Sequence, residues 1–135
     1  MDKLLGYFIK EPEKEFYIRE LAKLIKKSPA TVSKYLDKFR KKGILNSRRK
    51  FNHLLYKANN ESPCFKNLKF SYNLDKLRSS GFIGYLVEEY NHPEAIVLFG
   101  SFAKAEDIPG SDIDILIVTP LKKEMDLSAF ESAVK

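Results

Sequence analysis

Two short apolar runs in the C-terminal half of the chain do most to limit its fold. They are Ala95-Ile96-Val97-Leu98-Phe99 and Ile115-Leu116-Ile117-Val118. Short apolar runs bounded by glycine and polar residues are typical of buried strands. The segment that joins them begins with Gly100-Ser101 and ends with Asp112-Ile113-Asp114. The sequence therefore predicts two strands whose connection starts with small residues and ends in two carboxylates.

The carboxylates of Asp112 and Asp114 are predicted metal ligands. Residues two apart on a strand project from the same face, so we expect both carboxylates on one face. Two such charges repel each other and are costly to bury unless a cation lies between them. Mg²⁺ binds one or two carboxylates together with substrate phosphates, and it is therefore the expected ion.

The Gly-Ser pair at the end of the first strand is a predicted phosphate site. Gly100 permits close backbone approach, and the Ser101 hydroxyl with the N–H groups of a following helix can hold a phosphate. Ser111, just before the carboxylates, is a further predicted nucleotide contact. The pattern predicts a site for Mg²⁺ and a nucleoside triphosphate such as ATP. The alternative is a turn whose aspartates only solvate the end of a strand.

This segment resembles the nucleotidyltransferase superfamily of the DNA polymerase β type, in particular its minimal nucleotidyltransferases. Their shared pattern is Gly-Ser, ten residues and Asp-x-Asp, and this chain has that spacing after Phe99. The resemblance covers about residues 93–131. It implies that Gly100 and Ser101 contact the triphosphate. It also implies that Asp112 and Asp114 are catalytic and hold two Mg²⁺ ions for in-line nucleotidyl transfer.

The chain departs from the family pattern in two places. Ala105 stands where family members usually have glycine. The family's third carboxylate, which comes from a later strand, is not recognisable, because Asp126 and Glu131 fall in a segment with a helical pattern. We therefore expect an incomplete sheet with two recognisable strands and an open edge. A second copy covers that edge, or the preceding helices cover it, or the chain is a truncated form of a longer protein.

The N-terminal and C-terminal halves of the chain have net charges of opposite sign. Residues 1–57 hold 16 Lys/Arg and 6 Asp/Glu, a net charge of +10, whereas residues 58–135 hold 8 and 12, a net charge of −4. Such a division indicates two modules with different partners. The partner of the first, basic module is expected to be a polyanion. The alternative is a solvated surface that is uneven in charge.

Apolar residues recur at helical spacing in three segments before Gly43, at residues 1–10, 19–27 and 29–42. The predicted inner faces are Leu4, Leu5, Phe8 and Ile9; Leu21, Ala22, Leu24 and Ile25; and Val32, Leu36 and Phe39. Ser28 is the predicted N-cap of the third helix, Pro29 its first residue, and Gly43 the residue that ends it. Residues 44–46 and 54–57 then read as two strands joined by a basic loop.

This order of elements resembles the winged helix-turn-helix DNA-binding domains of archaeal and bacterial transcription regulators over roughly residues 1–60. The third helix would present small and basic side chains to base edges and phosphates, and the loop cations would reach the backbone or the minor groove. The predicted DNA-binding residues are Ala30, Thr31, Ser33, Lys34, Lys38, Arg48, Arg49 and Lys50. The alternative is a protein-interaction module with a solvated lysine face.

The sequence as a whole predicts an α+β fold in three parts. A winged helix-turn-helix at residues 1–60 is followed by a helical connector at 61–92 and a partial α/β nucleotidyltransferase-like domain at 93–135. The connector is predicted to hold helices at about 73–79 and 82–90, whose apolar stripes form a core or a dimer interface. A homodimer is expected, because two-fold symmetry matches a palindromic site on double-stranded DNA.

Several classes of protein are excluded by composition. No run approaches the roughly 20 apolar residues of a membrane span, and the first residues lack the pattern of a signal peptide. Cys64 is the single cysteine, and His53 and His92 are the two histidines, which argues against a disulfide or a structural zinc site. We expect a cytoplasmic protein.

These patterns favour a DNA-binding, transcription-regulator-like protein with a domain that binds Mg²⁺ and a nucleotide. One alternative is an active nucleotidyltransferase, whose acceptor is a partner protein by resemblance to antitoxins of this kind, or else a small molecule or nucleic acid. The other alternative is an interaction-only protein with an inactive nucleotide site.

Overall fold

The computed structural model describes residues 2–128 and 130. The chain contains both helices and strands, which confirms the predicted α+β class. Two compact units are formed, residues 1–69 and 70–135. The elements in chain order are α1 (Asp2–Lys10), β1 (Phe16–Tyr17), α2 (Ile18–Ile25), α3 (Pro29–Lys41), β2 (Leu45–Lys50), β3 (His53–Ala58), α4 (Pro63–Ser79), α5 (Phe82–Glu89), β4 (Ala95–Phe99), α6 (Gly100–Ala103) and β5 (Asp114–Val118).

The N-terminal unit packs its first three helices against a three-stranded antiparallel sheet. The strand order is β1-β3-β2, with Phe16 paired to Tyr56 and Leu45 paired to Ala58. Each helix buries one apolar stripe, and the sheet contributes the apolar side chains of its inner face. The fully buried side chains of this core include Leu4, Phe8, Phe16, Leu21, Val32, Leu36 and Leu45.

The third helix begins and ends where its sequence predicts. The Ser28 hydroxyl accepts a hydrogen bond from the backbone N–H of Thr31 at 3.2 Å, and Pro29 follows as the first helical residue. The left-handed backbone of Gly43, with φ of 77°, then ends the helix. Val32, Leu36 and Phe39 are buried as predicted.

Leu24 on α2 is exposed, contrary to the predicted inner face. Leu21 and Ala22 are buried, whereas 47% of Leu24 is exposed. Each residue of a helix turns by about 100°, so Leu24 lies on the side of Leu21 that points away from Ala22. The buried stripe of α2 is therefore narrower than the run of apolar residues indicates.

The basic hairpin is longer than predicted. β2 and β3 are joined by Phe51 and Asn52 alone, with Lys50 paired to His53. Both joining residues have positive φ, 47° and 63°, as in the type I′ turn whose twist matches that of paired strands. The three cations predicted for a loop, at residues 48–50, therefore lie on a strand and alternate between its two faces.

In the C-terminal unit, α5 packs on one face of an antiparallel β4–β5 sheet. The buried cluster comprises Leu77, Phe82, Leu86, Tyr90 and Phe102, and the inward-facing side chains of the sheet pack against it. The opposite face of the sheet carries Val97, Phe99, Leu116 and Val118, which are between 41% and 55% exposed. One face of this sheet thus belongs to the core and the other faces solvent.

α4 begins ten residues earlier than the helix predicted at 73–79. The Ser62 hydroxyl accepts a hydrogen bond from the backbone N–H of Phe65 at 3.4 Å, and Pro63 is the first helical residue. The polar residues before Pro63 therefore lead into the helix, as serine and proline commonly do at helix N-termini.

The segment whose helical pattern contains Asp126 is not helical over residues 121–127, and Glu131 lies outside the described residues. Tyr90 instead donates a hydrogen bond to the carbonyl of Lys123 at 3.1 Å, and the Lys123 ammonium pairs with Glu89. Met125 and Leu127 pack against the buried cluster. Tertiary contacts with α5 thus override the helical pattern.

Two leucine substitutions should separate the predicted core from the exposed stripe. Leu36→Ala removes a fully buried side chain and should lower the free energy of unfolding by about 2–5 kcal/mol. Leu24→Ala makes the same chemical change at an exposed position and should cost less than about 1 kcal/mol. Urea unfolding followed by circular dichroism measures both. Equal losses would contradict this description of the core.

Candidate functional site

In the predicted nucleotide site, the Asp114 carboxylate lies against the backbone of Gly100. Phe99 at the end of β4 pairs with Asp114 at the start of β5, which brings the next residue, Gly100, beside the carboxylate. Gly100 has φ of 76°, and a Cβ added to it would lie 2.1 Å from Asp114 Oδ2. Only glycine fits here, because any side chain would both strain the backbone and displace the carboxylate.

The short helix α6 holds Ser101 beside this contact. Phe102 is buried in the core cluster, and the Ser101 carbonyl accepts a hydrogen bond from the backbone N–H of Glu106 at 2.9 Å. Ala105 adopts φ of 56°, a left-handed conformation that glycine enters without penalty. This conformation explains why a glycine suits that position, and alanine there bears a strain of about 1 kcal/mol.

Asp112 lies outside the strand that begins at Asp114, so the prediction that both stand on one strand is wrong. A turn just before them bends the chain: the Ser111 hydroxyl accepts a hydrogen bond from the backbone N–H of Ile108 at 2.9 Å. The structure therefore groups Gly100, Ser101 and Asp114 at one end of the sheet, with Asp112 two residues before the strand. Ser111 shapes the loop that leads to them.

The donor set of this site is two carboxylates. In the part of the chain that the structure describes, no cluster of three or more His, Cys, Asp or Glu side chains could hold a metal ion. Mg²⁺ prefers six oxygen ligands and commonly takes only one or two from carboxylates, with the others from phosphates and water. Two carboxylates, such as those of Asp112 and Asp114, are the type and number of protein ligands that such an ion takes.

The N-terminal unit contains a second candidate site, an open groove of about 800 Å³. Of the predicted DNA-binding residues, Ala30, Ser33 and Arg49 line it together, although they come from α3 and from β2. The remaining lining residues are Tyr17, Ile18, Arg19, Glu20, Lys23, Pro29, Asn52, His53 and Leu54.

Two cations of this groove, Arg19 and Lys23, were missed from the sequence. They lie four residues apart on α2 and therefore share one helix face, a spacing that could have revealed them. Glu20 is the groove's acidic residue, and its carboxylate accepts a hydrogen bond from the backbone N–H of Tyr17 at 3.3 Å. With Arg49, the groove lining holds three basic side chains and one acidic side chain.

The hairpin cations are divided between two faces. Arg49 lines the groove, whereas Arg48 lies on the opposite face with Lys50. Arg48 donates two hydrogen bonds to the Glu15 carboxylate, at 2.7 Å and 2.9 Å. This bidentate pairing is the main cause that lowers the pKa of Glu15, so the pair is charged at neutral pH. Arg48 is thus already neutralised within the unit.

The other predicted DNA-binding residues lie on α3 outside the groove lining. Thr31 is engaged in the helix cap, with its hydroxyl 2.8 Å from that of Ser28. Lys34 and Lys38 are exposed. They extend the basic surface along α3 beyond the groove.

Comparison with known proteins finds a family match in the C-terminal part of the chain. Residues 80–134 match the family model described as "Nucleotidyltransferase domain", and the match includes Gly100, Ser101, Asp112 and Asp114. A nucleotidyltransferase domain is present. Such domains generally use a nucleoside triphosphate and Mg²⁺, so the match implies a nucleotide substrate. Neither a curated protein nor a solved structure shows a significant match to the chain.

Among the described residues, no helix is both long enough and apolar enough to cross a bilayer.

Two glycine substitutions should change stability in opposite directions. Gly100→Ala forces a Cβ against the Asp114 carboxylate in a left-handed backbone and should lower the free energy of unfolding by about 2 kcal/mol. Gly84→Ala lies within α5 with open space around it and should raise the free energy of unfolding by about 0.5–1 kcal/mol. Urea midpoints measure both changes. A Gly100→Ala protein as stable as Gly84→Ala would contradict the close approach.

Proposed function

We propose that this chain is a DNA-binding protein, of the transcription-regulator kind, whose nucleotidyltransferase domain binds a nucleoside triphosphate with Mg²⁺. The observation that carries the nucleotide part is the contact of the Asp114 carboxylate with the backbone of Gly100, inside the segment that matches the family. Because Gly100 has no side chain, the Asp114 carboxylate can lie against its backbone. The proposed metal ligand therefore lies beside the proposed phosphate-binding turn.

Each residue of the site has a separate role in this proposal. Asp112 and Asp114 would hold the cation, while the backbone N–H groups at Gly100 and Ser101 would bind phosphate oxygens, as backbone N–H groups at helix starts do. Mg²⁺, when bound, neutralises triphosphate charge and polarises a phosphoryl oxygen. Phe102, buried in the core cluster, fixes the turn so that these groups need little reorganisation.

Calorimetric titration tests nucleotide binding. Mg–ATP, and then the other triphosphates, should bind the wild type saturably and only when Mg²⁺ is present. Binding should fall at least about tenfold in Asp112→Asn/Asp114→Asn, because a neutral amide is a much weaker ligand for a hard cation.

The matched control is Asp75→Asn/Glu88→Gln, which removes the same number of charges from exposed positions on α4 and α5. This variant should bind Mg–ATP like the wild type. No binding by the wild type, or equal losses in both variants, would remove the nucleotide site from the proposal.

The DNA part rests on the N-terminal unit, which we propose is a winged helix-turn-helix. The order α1-β1-α2-α3-β2-β3 and the antiparallel order β1-β3-β2 support this assignment. The groove between the start of α3 and the hairpin, with Arg19, Lys23 and Arg49 in its lining, supports a polyanionic ligand. The homodimer expected from the sequence would match a palindromic site.

Two neighbouring arginines should differ in their effect on DNA affinity. Arg49→Ala removes a groove cation and should flatten the log–log salt dependence by about 0.9, the value for one phosphate contact. Arg48→Ala removes a cation that Glu15 already neutralises and should leave affinity within about twofold. Fluorescence anisotropy with a duplex, between roughly 50 and 200 mM salt, measures both.

Glu15→Gln makes the opposite change, because it removes the carboxylate that neutralises Arg48. This variant should bind DNA more tightly than the wild type. A wild-type affinity that does not change with salt would overturn the DNA assignment. Larger losses for Arg48→Ala than for Arg49→Ala would overturn the assignment of the groove face.

The family match also favours a second candidate function, an active nucleotidyltransferase. In that reaction an acceptor oxygen forms a bond to the α-phosphorus of the triphosphate while the bond to pyrophosphate breaks. Transfer of an α-phosphate label from ATP to a protein, small molecule or nucleic acid, abolished in Asp112→Asn, would support it. Transfer that persists in Asp112→Asn would remove Asp112 from the mechanism.

A further inference from the structure

The turn at the end of the β2–β3 hairpin combines backbone strain with exposure. Phe51 is its first residue and has φ of 47°, a left-handed conformation that suits glycine or asparagine but brings a bulky side chain against its own backbone. The same side chain is 86% exposed. The ring therefore contributes very little buried area to the unit, although its backbone is strained.

Folding of the hairpin gives no reason for a phenylalanine at this position. Glycine would relieve the strain of a type I′ turn and would remove an apolar ring from water. Strained residues of this kind occur preferentially where a protein contacts a ligand. The role of the Phe51 ring is therefore expected in contact with a molecule outside the unit.

The charges around Phe51 indicate the chemistry of that molecule. Lys50 directly precedes it, and Arg49 before that lines the groove together with Arg19 and Lys23. A ligand that fits both features needs flat apolar surfaces beside closely spaced negative charges. Nucleic acid has this combination, because its bases offer faces for stacking and its phosphates lie at regular intervals.

We propose, on the basis of the DNA binding proposed above, that Phe51 is an apolar wedge that stacks against a base step of the duplex. It lies in the hairpin turn between Arg49 and Asn52, two residues that both line the groove. Side chains inserted in this way partly unstack a base step and bend the DNA. The ring adds affinity without a phosphate contact, so it should not add to the salt dependence.

The test compares Phe51→Gly with Phe51→Tyr in the full chain. The probe is a duplex of about 30 base pairs with a fluorophore at each end, so that bending raises energy transfer. Phe51→Gly should bind about tenfold more weakly and lose the bend, yet keep the wild-type salt slope and a urea midpoint no lower than that of the wild type. Phe51→Tyr keeps a ring and should retain both affinity and bending.

These measurements distinguish a Phe51 ring that does not act as a wedge from a chain that does not bind DNA. A wild type that binds the duplex with strong salt dependence, together with an equally tight and equally bent Phe51→Gly complex, would overturn only the wedge. A wild type that does not bind the duplex at low salt would overturn both. Ring-dependent binding to phosphatidylserine vesicles, with no such dependence on the duplex, would also overturn the wedge and make Phe51 a membrane contact.

Discussion

The carboxylate of Asp114 occupies the space that a side chain at residue 100 would fill, and this constraint organises the C-terminal unit. The pairing of Phe99 with Asp114 sets the register of the two strands, and the left-handed backbone of Gly100 turns the chain directly into α6. Phe102 then anchors that turn in the core. Asp114 and the Gly-Ser turn, which we propose bind the metal ion and the phosphates, are brought together because Gly100 has no Cβ.

In the N-terminal unit, the two faces of the β2–β3 hairpin differ in charge. Strand alternation puts Arg48 and Arg49 on opposite faces of β2, and the Glu15 carboxylate then neutralises only one of them. The groove beside α3 therefore keeps a positive charge while the other face of the hairpin is tied to the segment before β1. A net charge of +10 over residues 1–57 does not reveal this division, since it depends on which face each cation occupies.

Much of this arrangement could be predicted from local rules. The cap at Ser28, the end of α3 at Gly43 and the two strands around the Gly-Ser and Asp-x-Asp pattern each depend on neighbouring residues. The errors arose where distant residues decide. Leu24 is exposed because the tertiary packing of α2 buries only its Leu21–Ala22 side, and residues 121–127 are not helical where Tyr90 and the core cluster contact them. The Glu15–Arg48 pair joins residues 33 positions apart, which spacing along the chain could not reveal.

Nucleotide binding at the end of the β4–β5 sheet can be tested by following the backbone amides of the full chain by NMR. Addition of Mg–ATP should shift the amide signals of Gly100, Ser101 and Asp114 more than those of the exposed sheet face at Val97 and Leu116, and the shifts should require Mg²⁺. Shifts confined to other parts of the chain, or no shifts at millimolar Mg–ATP, would contradict the assignment of this site.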